Sequence, residues 1–225
     1  MSTITGHTGL TALLGSPVVH SISPLMHNEA FRLLGLDYVY LCFDVNEETL
    51  PAAVAGLRTC GIRGFNLTMP NKNKIVELLD ELSPEARLIG SVNTVLNDNG
   101  KLIGYNTDGY GFMQSVRDAG HNITGKNITV MGVGGASMAI CAQSALDGAA
   151  SVHIFARHTS RYWERTRKFA QNLSDKTGCQ VCLFDNDDHT ALKNSIAQSY
   201  LLINATSVGM IPDINDTIIK DTSLF

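Results

Sequence analysis

Apolar and polar positions alternate along this chain in blocks whose period switches repeatedly between that of a strand and that of a helix. Leu10–Leu14 is a short apolar run, and Ser23-Pro24 then opens a helical pattern, with Ser23 as its cap and Pro24 at its first position. That helix is predicted to run to Leu34 and to stop at Gly35. Tyr38–Val45 reads as a strand, Asn46 as the cap of a second helix ending near Gly61, and Ile62–Thr68 as another strand. Helices are expected over Asn73–Glu81 and Pro84–Ile89. Asn97-Asp98-Asn99-Gly100 joins Ser91–Leu96 to Lys101–Tyr105 as a hairpin.

A polar, Gly-bearing stretch, Asp118–Lys126, marks a seam, and beyond it the rhythm is cleaner. Strands at Asn127–Met131, Ser151–Phe155, Gln180–Phe184 and Tyr200–Asn204 alternate with helices at Ala136–Leu146, Arg161–Lys176 and Thr190–Gln198. Continuous apolar strands separated by helices predict an α/β fold with a parallel, doubly wound sheet. The seam gives two domains, 1–120 and 121–225.

Composition narrows the function classes. The chain has 225 residues, 44% of them hydrophobic, enough to bury a core. Lys and Arg number 17 against 21 acidic residues, so no basic field is available to hold a nucleic-acid backbone. Tyr38–Val45, among the longest apolar runs, is far short of the ~20 residues needed to cross a bilayer. Met1–Leu10 lacks the pattern of a signal peptide, which makes a cytoplasmic location the expectation. The five cysteines are expected to be free thiols. Cys179-x-x-Cys182 has no second pair, and His20 and His27 have no third ligand nearby, so no metal site is expected.

The candidate chemistry lies at strand ends. Gly132-Val133-Gly134-Gly135-Ala136 joins a strand to a helix, where glycines allow a tight turn and helix N–H groups approach a pyrophosphate. Ser137 stands where the usual dinucleotide fingerprint has its third glycine. After the next strand, no acidic residue occurs between Gly148 and Tyr162, whereas Arg157 and Arg161 do. Arginines there suit a ribose 2′-phosphate, which favours NADP over NAD. In the first half, hydroxyl, amide and amine groups gather in Gly15–Asn28, Asn66–Lys72, Asn93-Thr94 and Asn106–Gly109. Each block taken alone also suits an ordinary cap or turn.

Taken in order, Gly15–Asn28, Gly64–Lys72, Gly90–Thr94, Gly104–Gly111, Gly132–Ala136 and Asn204–Met210 resemble the shikimate dehydrogenase family, across nearly the whole chain. The resemblance implies a substrate domain with a mostly parallel sheet, followed by a Rossmann-like NADP-binding domain. It implies that Ser21 and Ser23 bind the substrate carboxylate. Thr68 also binds substrate, Lys72 is catalytic, and Asn93 and Asp108 contact the ring hydroxyls, with Asp108 part of the catalytic pair. Gly132, Gly134, Gly135 and Ala136, with Arg157 and Arg161, would hold the cofactor.

The implied reaction is reversible reduction of 3-dehydroshikimate to shikimate by NADPH, on the route to chorismate and the aromatic amino acids. Hydride delivered to a ketone carbon leaves an alkoxide that needs a proton, and Lys72 is the group expected to give it. A homodimer is part of the expectation. The segments Asn28–Phe31, Asp37–Leu41 and Arg161–Cys179 look closer to the quinate/shikimate branch, whose members use NAD readily and carry an Asp where Thr159 stands. Branch resemblance and local charge thus point to different cofactors, and the charge is given more weight. Family members continue past the Asn204–Met210 block with a further strand and a helix that bears a substrate-contacting Gln. The second domain is therefore expected to be incomplete, with a non-catalytic shikimate-binding fragment as the competing expectation.

Overall fold

The structure, a computed structural model, describes residues 4–224. It divides into two compact units, Met1–Thr107 and Asp108–Phe225. The first unit contains β1 (Gly9–Gly15), α1 (Ser23–Leu34), β2 (Tyr38–Asp44), α2 (Leu50–Thr59), β3 (Gly64–Leu67), a 3-10 turn (Lys74–Leu78), β4 (Glu81–Leu82), α3 (Pro84–Ile89), β5 (Thr94–Asp98) and β6 (Lys101–Tyr105). Its sheet has the order β2-β1-β3-β5-β6-β4. β1 pairs in parallel with β2 and β3, and β4 with β6, while β5 runs antiparallel to both neighbours.

Alternation along β1 explains why this sheet is covered twice. Ala12 and Leu14 enter one core with Phe65, Leu67, Leu50 and Ile75, whereas Leu13 joins Val18, Tyr40 and Phe31 in another. Full burial of side chains such as Leu14, Leu50 and Ile75 contributes about 1.5–3 kcal/mol each. The outer backbone of edge strand β2 is blocked at Tyr40, whose N–H donates to Asn28 Oδ1 (2.8 Å) and whose carbonyl accepts from Asn28 Nδ2 (3.0 Å). No residue of α1 itself is buried, and Leu25, Met26, Leu33 and Leu34 are exposed. The hairpin turn forms as its residues require, with Asn99 and Gly100 at φ 51° and 92°.

Local signals fail where a neighbouring group supplies the cap. Ile22, not Ser23, is the N-cap of α1, because Ser23 N–H donates to Ser21 Oγ (3.2 Å) instead of the Ser23 hydroxyl receiving a helix amide. Asn46 Oδ1 accepts from the N–H groups of Glu48 and Thr49 (both 3.0 Å), which makes a turn and delays α2 to Leu50. Asn73–Glu81 yields only a short 3-10 turn.

The second unit contains α4 (Asp108–Asp118), β7 (Asn127–Met131), α5 (Gly135–Leu146), β8 (Ser151–Ala156), α6 (Trp163–Thr177), β9 (Gln180–Asp185), α7 (His189–Gln198), β10 (Leu201–Asn204) and a terminal 3-10 turn (Thr222–Leu224). All its strand pairings are parallel, in the order β10-β7-β8-β9. Numbered within the unit this is 3-2-1-4 read from the other edge, the order of a Rossmann half with its switch point between β7 and β10. Sequence periodicity misses α4, whose first residues, Asp108 and Gly109, lie in a block that reads as a cap or turn. Gly109 is buried on α5, where a Cβ would fall 2.2 Å from the Ala139 carbonyl oxygen, so the glycine serves helix contact. With α4 belonging to the second unit, the division falls after Thr107 and not after residue 120.

Candidate active site

Strand register brings the polar blocks of the first unit to one end of its sheet. Leu14 pairs with Leu67, Asn66 with Thr94, and Thr94 with Tyr105, so the carboxyl ends of β1, β3 and β6 lie beside the start of β5. The loops after β1 and β3 are also tied together. Thr68 N–H donates to Leu14 O (3.0 Å) and Ser16 N–H to Met69 O (3.0 Å). Only glycine fits at Gly15, where a Cβ would lie 2.2 Å from Thr68 Cγ2 and 3.0 Å from Met69 O.

The predicted substrate residues fall around these strand ends. Ser21 and Ser23 form the turn entering α1, half-buried, with Ser21 N–H donating to Val18 O (2.9 Å). Thr68 follows β3 and is half-buried. The Lys72 carbonyl accepts from Val92 N–H (2.8 Å), which holds its backbone beside the segment carrying Asn93. Asn93 is the hub of the cluster. Its Oδ1 accepts from Thr107 N–H (2.9 Å) and the Thr94 hydroxyl (3.0 Å), and its Nδ2 donates to Thr107 Oγ1 (3.0 Å). Asp108 follows Thr107 directly but is the first residue of α4, in the second unit.

Further residues support this end of the sheet. Asn66 Nδ2 donates to Thr94 Oγ1 (3.0 Å) and Asn93 O (3.2 Å), while its Oδ1 accepts from the Tyr40 hydroxyl (2.8 Å). Burial pushes the Tyr40 phenol well above its ordinary pKa, so it remains a donor. The His27 ring is stacked on it at 4.2 Å, and burial lowers the pKa of that imidazole. Asn71 is fully buried next to Lys72. No local pattern flags Tyr40, because its partner is brought to it by strand pairing.

In the second unit the candidate site is a cleft of ≈ 810 Å³ at the carboxyl end of the sheet, between the turn after β7 and the segment Ala205–Val208 after β10. Gly132 holds φ 113°, and a Cβ there would meet Ala205 O at 3.0 Å and Thr206 Cγ2 at 2.9 Å. Gly134 is the N-cap of α5 without a side-chain cap, and Gly135 and Ala136, both exposed, form the first turn. Unpaired N–H groups at such a turn suit a phosphate. Ser137, in place of the third fingerprint glycine, donates its hydroxyl to Gly132 O (2.6 Å) and so ties the turn from inside the helix. Arg157, Thr159 and Arg161 line the same cleft. The Arg161 guanidinium lies 4.7 Å from the centre of the Tyr162 ring, so Tyr162 orients it. Glycine turn, helix terminus, paired arginines and cleft size together fit a phosphorylated dinucleotide.

Other candidates stand apart from this chemistry. All five cysteines are free thiols, and burial pushes Cys141 up to about 12 and Cys179 up to about 11, values of unreactive thiols. Among the described residues, His, Cys, Asp and Glu form no group of three or more that could hold a metal ion. No helix among the described residues is long and apolar enough to cross a membrane.

Known proteins resemble this chain over nearly its whole length. A family model described as the shikimate dehydrogenase substrate binding domain matches residues 13–95. The shikimate dehydrogenase (NADP(+)) of Listeria innocua is 48% identical over 221 residues, covering 98% of this chain and 76% of that protein. The crystal structure of Listeria monocytogenes shikimate 5-dehydrogenase with shikimate and NAD superposes with a TM-score of 0.96 at 47% identity, covering 100% of this chain and 78% of the other. The Thermus thermophilus enzyme with NADP(H) and shikimate gives a TM-score of 0.77 at 34% identity, covering 96% and 75%. With its glycine-turn cleft and its cluster of strand-end amides and hydroxyls, this chain belongs to the shikimate dehydrogenase family.

Proposed function

We propose that the chain is an NADP-dependent oxidoreductase that interconverts 3-dehydroshikimate and shikimate in the cytoplasm, on the route to the aromatic amino acids. The observation that carries the reading is the gathering of Thr68, Lys72 and Asn93 at one end of a sheet, in a chain 48% identical to a named shikimate dehydrogenase over 98% of its length. Ser21 and Ser23 would hold the substrate carboxylate, and Thr68, Asn93 and Asp108 the ring hydroxyls. Lys72 gives the proton that the incipient alkoxide needs and takes it back in the reverse direction. When bound, NADPH supplies the hydride. Gly132, Gly134, Gly135 and Ala136 would bind its pyrophosphate, and Arg157 and Arg161 its 2′-phosphate.

NAD is a second cofactor in this proposal, since the Listeria monocytogenes relative was crystallised with it. Without a 2′-phosphate the two arginines lose their charge-assisted bonds, so NAD should bind more weakly. The exposed apolar residues of α1 support a homodimer that covers them.

Purified protein should oxidise shikimate with NADP, and less efficiently with NAD at equal concentration. Lys72→Ala should lower kcat by about 10²–10⁴-fold while leaving shikimate binding nearly intact. A Lys72→Ala protein that turns over at the wild-type rate would refute the assignment.

A further inference from the structure

Lys72 sits on a short segment held by backbone bonds at both ends. Asn71 N–H donates to Thr68 O (3.0 Å), Ile75 N–H donates to Asn71 O (3.0 Å), and Val92 N–H donates to Lys72 O (2.8 Å). Within that segment Asn71 is unusual. Its exposure is 0%, its Nδ2 donates to Val45 O at 2.7 Å, and its Oδ1 is buried with no hydrogen-bond partner.

A buried acceptor without a partner costs stability, and a leucine of similar volume would fill the position without one. Leucine would, however, leave Val45 O without its donor, so stability alone gives asparagine no clear advantage here. What the amide adds is a bond from the residue preceding Lys72 to the end of β2, and Val45 is itself anchored through its N–H to Gly15 O (2.8 Å). Lys72 is thereby fixed from two directions, by the Asn71 side chain toward β2 and by its own carbonyl toward the segment before β5. Backbone fixed on both sides restricts where a long, flexible lysine side chain can deliver its amine.

We propose that Asn71 is a positioning residue for Lys72, its amide tie to Val45 aiming the lysine at the reacting carbonyl. The inference rests on the reading of Lys72 as the proton-transfer group.

The test uses the full chain with Asn71→Leu, Asn71→His and Lys72→Ala. Asn71→Leu removes the buried Asn71 Oδ1 orphan but leaves Val45 O without this donor, two changes of opposite sign, so Tm should stay within a few degrees of wild type. Over the same change kcat should fall by about 10–100-fold, with KM for shikimate within about twofold and a displaced pH profile of kcat. Asn71→His restores an N–H donor near the same place and should recover most of kcat. An Asn71→Leu protein with wild-type kcat and pH profile, beside an inactive Lys72→Ala protein, overturns the positioning role and leaves the function intact. Loss of Tm in step with kcat in both Asn71 variants also overturns it, since that is what a merely structural residue does. If Lys72→Ala turns over normally, the functional reading itself fails.

Discussion

The two candidate ligand faces of this chain are built from different material. In the second unit the face is main chain: a glycine at φ 113°, the N-terminal turn of α5, and a serine hydroxyl that holds the turn by its Gly132 carbonyl. In the first unit it is side chain, with Asn66, Asn93, Thr94 and Thr107 bonded to one another across β3, β5 and β6. A main-chain site depends on the conformation of a few consecutive residues. A side-chain site depends on which strands become neighbours. The first should therefore break at a single glycine, whereas the second should lose function in smaller steps as members of the network are removed.

Of the two faces, the larger effect on ligand binding is expected from a cut at Gly132. A side chain there must adopt a φ that L residues rarely take, costing about 1–3 kcal/mol, before any contact is counted. Its Cβ would also press on the Ala205 carbonyl at 3.0 Å, and backbone cannot move aside as a side-chain tip can. Gly132→Ala should weaken NADPH binding by about 10-fold or more and lower the melting temperature, because the strain must be relieved in the turn that faces the ligand. Shikimate binding to the free protein should change little. Calorimetry with each ligand separately measures both, and equal losses for the two ligands would abolish the contrast between the faces.

Asn93→Ala is the matching cut in the first unit. It leaves Thr107 N–H and two hydroxyls without their common partner, at a cost of about 1–2 kcal/mol. The half-exposed site lets water take some of those bonds, which keeps the effect below that at Gly132. KM for shikimate should rise about 5-fold with NADPH affinity held within about twofold. A variant whose NADPH affinity falls as far as its shikimate affinity would show that Asn93 acts on the whole protein.

This contrast also explains how much of the molecule is legible in its sequence. The strands of the second unit, its parallel order and the Gly132–Ala136 turn follow from periodicity and glycine spacing, because each is a local property. Ser137 departs from the fingerprint, yet its hydroxyl reaches back to the Gly132 carbonyl within the same turn. The site of the first unit is legible only through resemblance to a family, since nothing near Asn93 in sequence shows that Thr107 will lie against it. Tyr40 and Asn71 stay hidden for the same reason, their partners Asn66 and Val45 being 26 residues away in each case. Helix α4 escapes because Asp108 and Gly109 lie in a block that carries a cap or turn signal locally, while the close approach of α5 that requires Gly109 is tertiary.

The smallest effect separates the two units by pH. His153 of β8 lies edge-on to Phe184 at 5.4 Å with Nδ1 2.9 Å from Ser195 Oγ, and burial lowers its pKa from 6.5. His27, stacked on Tyr40 in the first unit, is lowered by burial as well. On unfolding both return to the ordinary value near 6.5, so below that pH the unfolded chain takes up protons that the folded chain refuses. Their contribution is constant above about pH 7.5 and turns against the fold as pH drops through 6.5 toward the depressed folded values. The urea midpoint of the wild-type chain should decline across that window. His153→Gln keeps a polar partner for Ser195 without a titrating ring, so its midpoint should decline less steeply, and His27→Gln should flatten the remainder. A His153→Gln protein whose midpoint falls as steeply as wild type between about pH 7 and pH 5.5 would show that the buried imidazole of the second unit is not the group being titrated.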